Sequence, residues 1–231
     1  MTGVQTCALP IYTDSAKLVV EDNKLTTKFI SSDQNVIGEV VLNTFDAPNA
    51  ELGVYATSQL VKMLSAVDEK MDVSFGEVDK KIFSINFKDQ DTNVTYMLAD
   101  LSVIRQVPNL KSLPDFDVKI ELNKEFANNF KKAANALPES DNFGVTCDGT
   151  DTKIIINHSS VNTNRIVFKA TPKEFKQMDT VCFSAKLFKE ILNANADATG
   201  MLEVSSKGLA KVTFENAEYS SVYYLVKLTI A

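Results

Sequence analysis

The stretch that decides the fold is VYATSQLVKML at residues 54–64, because a similar stretch, VCFSAKLFKEI, occupies residues 181–191. Both follow the pattern Val-x5-Leu-x-Lys-x-Leu/Ile, and the second begins 127 residues after the first. The same offset places TYML at 95–98 on VYYL at 222–225. Similarity at one fixed offset predicts a structural unit that the chain uses twice.

The first residues need separate treatment. Residues 2–11 read TGVQTCALPI, which looks like the translation of a sequencing adapter. A signal peptide would need a basic start and a longer apolar region, and both are missing here. We therefore interpret 1–11 as a non-native scar, and we expect the genuine chain to begin near Tyr12 without its true amino terminus.

Length and composition predict a globular protein of one or two domains. About 220 residues remain after the scar, enough for two domains of roughly 100 residues or for one large domain. The chain is 45% hydrophobic, with a net charge of −6. No stretch approaches the ~20 apolar residues of a membrane helix. Outside the scar, the cysteines are Cys147 and Cys182, both in apolar strands, which predicts buried thiols and a cytoplasmic location.

Three amphipathic helices are predicted from apolar residues at helical spacing. We expect them to begin at Thr57, Asn123 and Ser184, with Thr57 and Ser184 as N-caps, and to run for roughly eleven to fifteen residues. The predicted buried stripes are Leu60, Leu64 and Val67 in the first; Phe126, Phe130, Ala133 and Leu137 in the second; and Leu187, Phe188, Ile191 and Ala194 in the third.

The rest of the chain predicts strands joined by tight turns. The predicted strands are 17–20, 25–30, 36–42, 52–55, 71–75, 82–87, 92–98, 118–122, 143–147, 153–157, 165–170, 180–183, 201–205, 210–214 and 221–230. The repeating order is a strand, a helix and three antiparallel strands, and the first of four copies lacks its strand and helix. This predicts an α+β fold with domain one at 12–101, an irregular connector at 102–116 and domain two at 117–231.

Charge divides between the predicted helices and the remaining chain. The helices carry six lysines against Glu125 and Glu190, so they sum to +4 while everything else sums to −10. The pI of 4.9 argues against a general basic surface that binds nucleic acid. Two interpretations stay open, a solvated helix face or a localised contact with phosphate. The six lysines are Lys62, Lys124, Lys131, Lys132, Lys186 and Lys189.

Enzyme motifs are missing from the sequence. There is no phosphate-binding loop, dinucleotide fingerprint, HExxH or CxxC pattern. The lone histidine, His158, follows an apolar run and is expected at a strand end. We therefore predict a protein that is not an enzyme and that needs no cofactor or metal.

Five segments carry a resemblance to a known family. They are LGVYATSQLVKMLSAV (52–67), GVTCDGTDTKIIIN (144–157), TNRIVFKA (163–170), VCFSAKLFKEILNA (181–194) and LAKVTFENAEYSSVYYLVKL (209–228). Together they resemble the DNA sliding clamps, a family of ring-shaped replication processivity factors that includes proliferating cell nuclear antigen. The likeness is most specific to the clamps of T-even bacteriophages and covers most of residues 16–230. The family arranges such units around a ring, with the helices lining the hole.

The resemblance implies sites and partners. It implies a homotrimer around double-stranded DNA, held without sequence specificity, that tethers the replicative polymerase after an ATP-driven loader opens the ring. The six helix lysines would face DNA. The subunit joint would pair the strand of Val94, Tyr96 and Leu98 with the strand of Arg165, Ile166 and Phe168 of the next copy. Partner peptides would dock near Val107, Leu110 and Leu113, although these residues could instead pin the connector onto the sheets.

A different class of function also fits a β-rich, acidic chain. A phage structural ring or tube subunit would have no DNA role and would likewise reside in the cytoplasm of a bacterial host. Such a subunit has no need of lysines gathered on helices and acids gathered elsewhere. The charge division is therefore the feature that separates the two hypotheses.

Overall fold

The structure is a computed structural model that describes residues 13–230 except 69, 80, 109 and 111. The adapter-like residues 1–11 lie outside the described part. The described chain divides into two compact units. The first holds residues up to Pro108 and Ala217–Ser221, and the second holds the rest. None of the described helices is long and apolar enough to cross a membrane.

The first unit contains seven strands in two antiparallel groups. Strands β1 to β4 take the order β3-β2-β1-β4, and β5 to β7 follow in chain order. Asp22 and Asn23, both with positive φ, form the tight turn that joins β1 to β2. The strands are β1 (Ala16–Glu21), β2 (Lys24–Ile30), β3 (Val36–Leu42), β4 (Ala50–Val54), β5 (Asp72–Val78), β6 (Lys81–Lys88) and β7 (Asn93–Met97).

The second unit repeats this arrangement with nine described strands, of which β16 begins in the segment assigned to the first unit. One group has the order β12-β8-β14-β15-β16 and the other β11-β10-β9-β13. Apolar residues alternate with polar ones along β8 and β15, so one face of each strand is buried. The strands are β8 (Val118–Leu122), β9 (Asn142–Cys147), β10 (Thr152–Ile156), β11 (Ile166–Ala170), β12 (Pro172–Phe175), β13 (Met178–Ser184), β14 (Thr199–Ser205), β15 (Leu209–Glu215) and β16 (Tyr219–Val226).

Three α-helices are described: α1 (Thr57–Leu64), α2 (Lys124–Ala136) and α3 (Ala185–Ala194). The predicted N-cap of α3 is confirmed, since the side chain of Ser184 accepts a hydrogen bond from Leu187 N. Asn123, where the second helix was expected to start, is the N-cap of α2 and accepts from Phe126 N. The predicted cap of α1 is wrong. Ala56 is its N-cap, Thr57 is the first helical residue, and the Thr57 hydroxyl donates to Thr13 O at 2.6 Å instead of capping the helix.

The predicted lengths of α1 and α3 were also too long. α1 has 8 residues and α3 has 10, because packing rather than periodicity decides where a helix stops. Val67 and Leu137 therefore lie outside the helices. On α3 the buried stripe includes Leu192, whereas Leu187 and Ala194 are only half-buried.

Most predicted strands are present, with differences at their ends. The last strand stops at Val226 rather than at residue 230. β7 ends at Met97 and β11 begins at Ile166, so Leu98 and Arg165 flank the strands that were predicted to contain them. The prediction missed β12, because its sequence PKEF is polar and begins with proline; proline is tolerated there because β12 is the end strand of its group.

The repeat at an offset of 127 residues is confirmed in the described chain. Adding 127 converts the bounds of β5, Asp72–Val78, into those of β14, Thr199–Ser205. The same shift moves α1 to positions 184–191, which overlap α3, and β7 to positions 220–224, which lie within β16. One supersecondary unit therefore occurs in both compact units.

The core of the second unit is an aromatic cluster between α2, α3 and the strands beneath them. Phe188 of α3 lies 4.8 Å from both Phe130 of α2 and Phe143 of β9, measured between ring centroids. All three rings are fully buried. The predicted burial of Cys147 and Cys182 is confirmed. Aromatic packing thus fixes α2 against α3 and leaves their opposite faces to solvent.

Candidate nucleic-acid interface

The outer face of α2 is polar and basic. Phe126, Phe130 and Ala133 form its buried stripe. Lys124 and Lys131 are seven residues apart and lie on the opposite face, where Lys124 is exposed and Lys131 half-buried. Lys132 is exposed on the flank. The packing of the phenylalanines therefore orients three ammonium groups away from the core.

α3 presents a second basic stripe beside α2. Phe188 and Ile191 bury one side of the helix, and Lys186 and Lys189, three residues apart, share the other side. Lys189 bridges the two helices, since its Nζ donates to Oδ1 of Asn135 on α2 at 2.8 Å. The second unit thus carries five of the six predicted lysines on two packed helices.

α1 carries the sixth lysine. Leu60 and Leu64 are buried against the first unit, and Lys62 is exposed between them in the last turn. A cation near the carboxyl end of a helix is favoured by the helix dipole. All six predicted lysines therefore lie on helices.

Lysines on strands and lysines on helices differ in their partners. Eight strand lysines form ion pairs with carboxylates, including Lys17 with Glu51 at 2.6 Å and Lys173 with Glu121 at 2.9 Å. In the described part of the chain, none of the six helix lysines pairs with an acid. The paired strand lysines are Lys17, Lys28, Lys81, Lys119, Lys153, Lys169, Lys173 and Lys211.

This difference shapes the electrostatics of each unit. Ion pairs neutralise these eight strand lysines locally, whereas Lys24 and Lys88, each at the end of a strand, have no such pair in the described chain. The helix lysines keep their positive charge, and like charges on two adjoining helices repel one another. Gathering unneutralised cations on one face is favourable only where an anion is to be attracted there.

The two strands of the predicted subunit joint are both end strands. β7 pairs only with β6, and β11 pairs only with β10, among the residues that the structure describes. The side chain of Tyr96 does not face outward, because it is buried and its hydroxyl bonds to the backbone N and O of Ala56. Ile166 and Phe168 are half-buried, and Phe168 packs edge-on against Phe126 at 5.9 Å between ring centroids.

The predicted peptide pocket lies on irregular chain. Leu110 and Leu113 are each 43% exposed, and Val107 is half-buried. A groove of about 680 Å³ in the second unit, beside the chain that follows β16, was not predicted from the sequence. This groove (the tail groove) is formed where Leu228 N donates to Cys182 O at 2.8 Å. Its lining includes His158, Thr180, Cys182, Lys227 and Thr229.

The titratable groups outside the helices have structural explanations. His158 lies two residues past the end of β10, and its backbone N donates to Asn142 Oδ1. Burial raises the pKa of the Cys182 thiol to about 11, so the reactive thiolate is scarce at neutral pH. Within the described residues, no three His, Cys, Asp or Glu side chains come together as a metal site would require.

Comparison with known proteins places the fold. No protein-family model matches the chain, and no curated protein sequence is significantly similar to it. Among solved structures, it is similar to the PCNA of A. fulgidus bound to the C-terminal region of FEN-1, with a TM-score of 0.79 and 18% identity over 100% of this chain and 98% of that one. It is also similar to the Proliferating Cellular Nuclear Antigen of Entamoeba histolytica, with a TM-score of 0.75 and 16% identity over 98% and 94% of the two chains. The chain therefore has the DNA-clamp fold.

Proposed function

We propose that this protein is a sliding clamp, a non-enzymatic ring that encircles duplex DNA and tethers the replicative polymerase for processive synthesis. The observation that carries the proposal is the contrast between paired strand lysines and unpaired helix lysines. A ring that slides must attract phosphate without reading bases, and ammonium groups on helices do that. A structural ring subunit, the competing hypothesis, needs no such contrast.

The DNA contact can be tested by charge reversal. We expect the triple variant Lys124→Glu, Lys131→Glu, Lys132→Glu to bind a duplex of about 30 base pairs at least about tenfold more weakly at low salt. Fluorescence anisotropy across a salt series measures the change, and processive primer extension measures its consequence. The three side chains are solvent-facing, so the melting temperature should change little.

A matched control separates local from total charge. Lys24, Lys88 and Lys207 are exposed and lie off the helices. Their reversal to Glu changes the net charge equally and should leave duplex affinity within about twofold, because they lie outside the helices that make the proposed contact. Equal losses in both triple variants, or no loss in either, would favour the structural-ring hypothesis.

We further propose that β7 and β11 form the joint between copies of a homotrimer. An open strand edge can pair with other chains and cause aggregation, and head-to-tail pairing of β7 with β11 covers both edges. The same pairing, repeated from copy to copy, can close a ring. Along β11, successive backbone N–H groups point alternately toward β10 and away from it. An outward N–H is therefore available to β7 of another copy.

Two neighbouring proline variants test the joint. Of Ile166→Pro and Val167→Pro, one removes an outward donor and should dissociate the oligomer at nearly unchanged melting temperature. The other removes a donor to β10 and should lower the melting temperature. Analytical ultracentrifugation measures the oligomer; if both variants sediment like the unmodified protein, the joint lies elsewhere.

Partner proteins would dock through short peptides. We propose the connector around Leu110 and Leu113 as the site, since exposed leucines on irregular chain supply the apolar anchors that peptides use. Leu110→Ala with Leu113→Ala should weaken binding of the polymerase carboxy-terminal peptide by roughly 1–3 kcal/mol in calorimetry. Thr229→Trp, which narrows the tail groove, is the comparison variant. A loss confined to that variant would move the docking site to the tail groove.

A further inference from the structure

The contact between Lys189 and Asn135 distinguishes one helix lysine from the other five. It joins α3 to the last turn of α2 at 2.8 Å, between Nζ and Oδ1. Among the described residues, the other five helix lysines have no hydrogen-bonded side-chain partner. Lys189 is therefore held in one place, while the others are free to sweep a wider volume.

The chemistry of this contact sets the orientation of the amide. An ammonium group only donates hydrogen bonds, so it is the oxygen of the Asn135 amide that faces Lys189. The amide nitrogen, with its two N–H donors, is then directed elsewhere. Asn135 is exposed, and it follows Lys131 by one helical turn on the same outer face of α2. The seam between the helices thus combines two ammonium groups with a neutral N–H donor.

Holding Lys189 at this seam also has an electrostatic reason. The last turn of α2 contains no basic residue of its own, and its free carbonyl groups carry partial negative charge. The ammonium group of α3 lies beside this turn. Its side-chain entropy is therefore reduced before any anion arrives, which lowers the cost of forming a contact there.

We infer that Asn135 is a positioning residue for DNA, which holds Lys189 at the α2–α3 seam and offers an amide donor to the same phosphate. The inference rests on the proposed clamp function. It makes the seam a fixed phosphate contact of the second unit, while the remaining helix lysines act as a mobile positive field.

The test measures duplex affinity and its salt dependence for the full chain. Asn135→Ala should weaken binding of a duplex of about 30 base pairs by roughly two- to tenfold, the range expected for one hydrogen bond. It should also lower the slope of log affinity against log salt toward that of Lys189→Ala, although no charge has changed. A role confined to helix stability would change the melting temperature and leave the slope unaltered.

Three further variants make the test decisive. Asn128→Ala removes another exposed asparagine of α2, one that forms no hydrogen bond with a lysine of the described chain, and should have no effect. Asn135→Asp keeps the acceptor for Lys189 but replaces the amide donor with a negative charge, so it should bind DNA more weakly than Asn135→Ala. The double variant Asn135→Ala, Lys189→Ala should lose less affinity than the sum of the two single losses, because the positioning part of the Asn135 contribution needs Lys189.

Additive losses in that double variant, equal losses in the two asparagine-to-alanine variants, or normal binding by Asn135→Asp would each overturn the inference. The experiments can distinguish failure of this inference from failure of the clamp proposal. If the triple reversal of Lys124, Lys131 and Lys132 abolishes duplex binding while Asn135→Ala has no effect, only the positioning role is lost. If the triple reversal has no effect, the clamp proposal fails.

Discussion

The two copies of the repeated unit share one topology but differ in how their helices are supported. α3 of the second copy packs against α2 through Phe188, which is fully buried. Its counterpart on α1, 127 positions earlier, is Val61, which is only half-buried. The same pattern thus supports a helix at the centre of an aromatic core in one unit and a helix on a thinner core in the other.

The closing tyrosine of each copy shows the same divergence. Tyr96 and Tyr223 occupy equivalent positions, and both are buried. Tyr96 bonds to the backbone of Ala56 at the amino end of α1. Tyr223 accepts a hydrogen bond from Asn195 at the carboxyl end of α3, at 3.1 Å. A repeated residue can therefore keep its position and burial while it satisfies opposite ends of a helix.

The largest effect that should separate the copies comes from truncating these helix cores. Phe188→Ala should destabilise the protein by about 3–5 kcal/mol, because it removes a fully buried ring from a rigid cluster. Val61→Ala should cost about 1 kcal/mol or less, because the side chain is partly solvated. Urea unfolding followed by circular dichroism measures both. Similar costs would mean that the two helices are equally supported.

Protection of backbone amides from hydrogen exchange should distinguish β5 from β14. β14 pairs with β8 and β15, whereas β5 pairs only with β6 among the described strands. Val78 at the end of β5 is 61% exposed, while Val204 of β14 is fully buried. In hydrogen exchange followed by NMR, alternate amides of β5 should exchange at least about tenfold faster than any amide of β14. Uniform slow exchange along β5 would show that its outer edge is covered in solution.

Removing the cap of α3 and adding a cap to α1 should change stability by smaller amounts and in opposite directions. Ser184→Ala removes the cap of α3 and should cost about 1 kcal/mol. Ala56→Ser supplies a side-chain acceptor that α1 lacks, and should add a few tenths of a kcal/mol to about 1 kcal/mol. Thermal unfolding of both variants measures the shifts. A destabilising Ala56→Ser would indicate that the bond between Tyr96 and Ala56 already fills the space a cap needs.

The smallest predicted effect is a difference in acid response. The Lys81 ammonium lowers the pKa of Asp100 in the first unit, and backbone N–H donation, first from Asp151, lowers the pKa of Asp148 in the second. Because both folded pKa values lie below the unfolded value of about 3.9, the stabilisation is complete above that pH and disappears as pH falls through the folded values. Between pH 6 and 8 neither group should contribute any pH dependence.

Salt should separate the two aspartates. Screening weakens the pairing of Asp100 with an ammonium group more than it weakens backbone hydrogen bonds to Asp148. In unfolding titrations below about pH 4, high salt should therefore reduce the effect of Asp100→Asn more than that of Asp148→Asn, whose carboxylate also pairs with Lys153 at 3.2 Å. Equal salt dependence of both variants would contradict this assignment.

The sequence by itself determined the elements that depend on local patterns. The repeat at 127 residues, the helix starts at Asn123 and Ser184, and the hairpin at Asp22 and Asn23 were all predicted, because spacing, caps and positive-φ residues act within a few positions. The six helix lysines were identified in the same way, from the face of each helix that the apolar stripe leaves exposed.

Only the tertiary structure decided features that join residues distant in the chain. No pattern could show that the Thr57 hydroxyl reaches Thr13 instead of capping α1, or that Tyr96 is turned inward toward Ala56. The strand lysines and the helix lysines look alike in sequence. Packing brings carboxylates to eight of the strand lysines and aligns Asn135 with Lys189, whereas the remaining helix lysines have no side-chain partner among the described residues. Charge pairing depends on distances in space rather than on spacing along the chain.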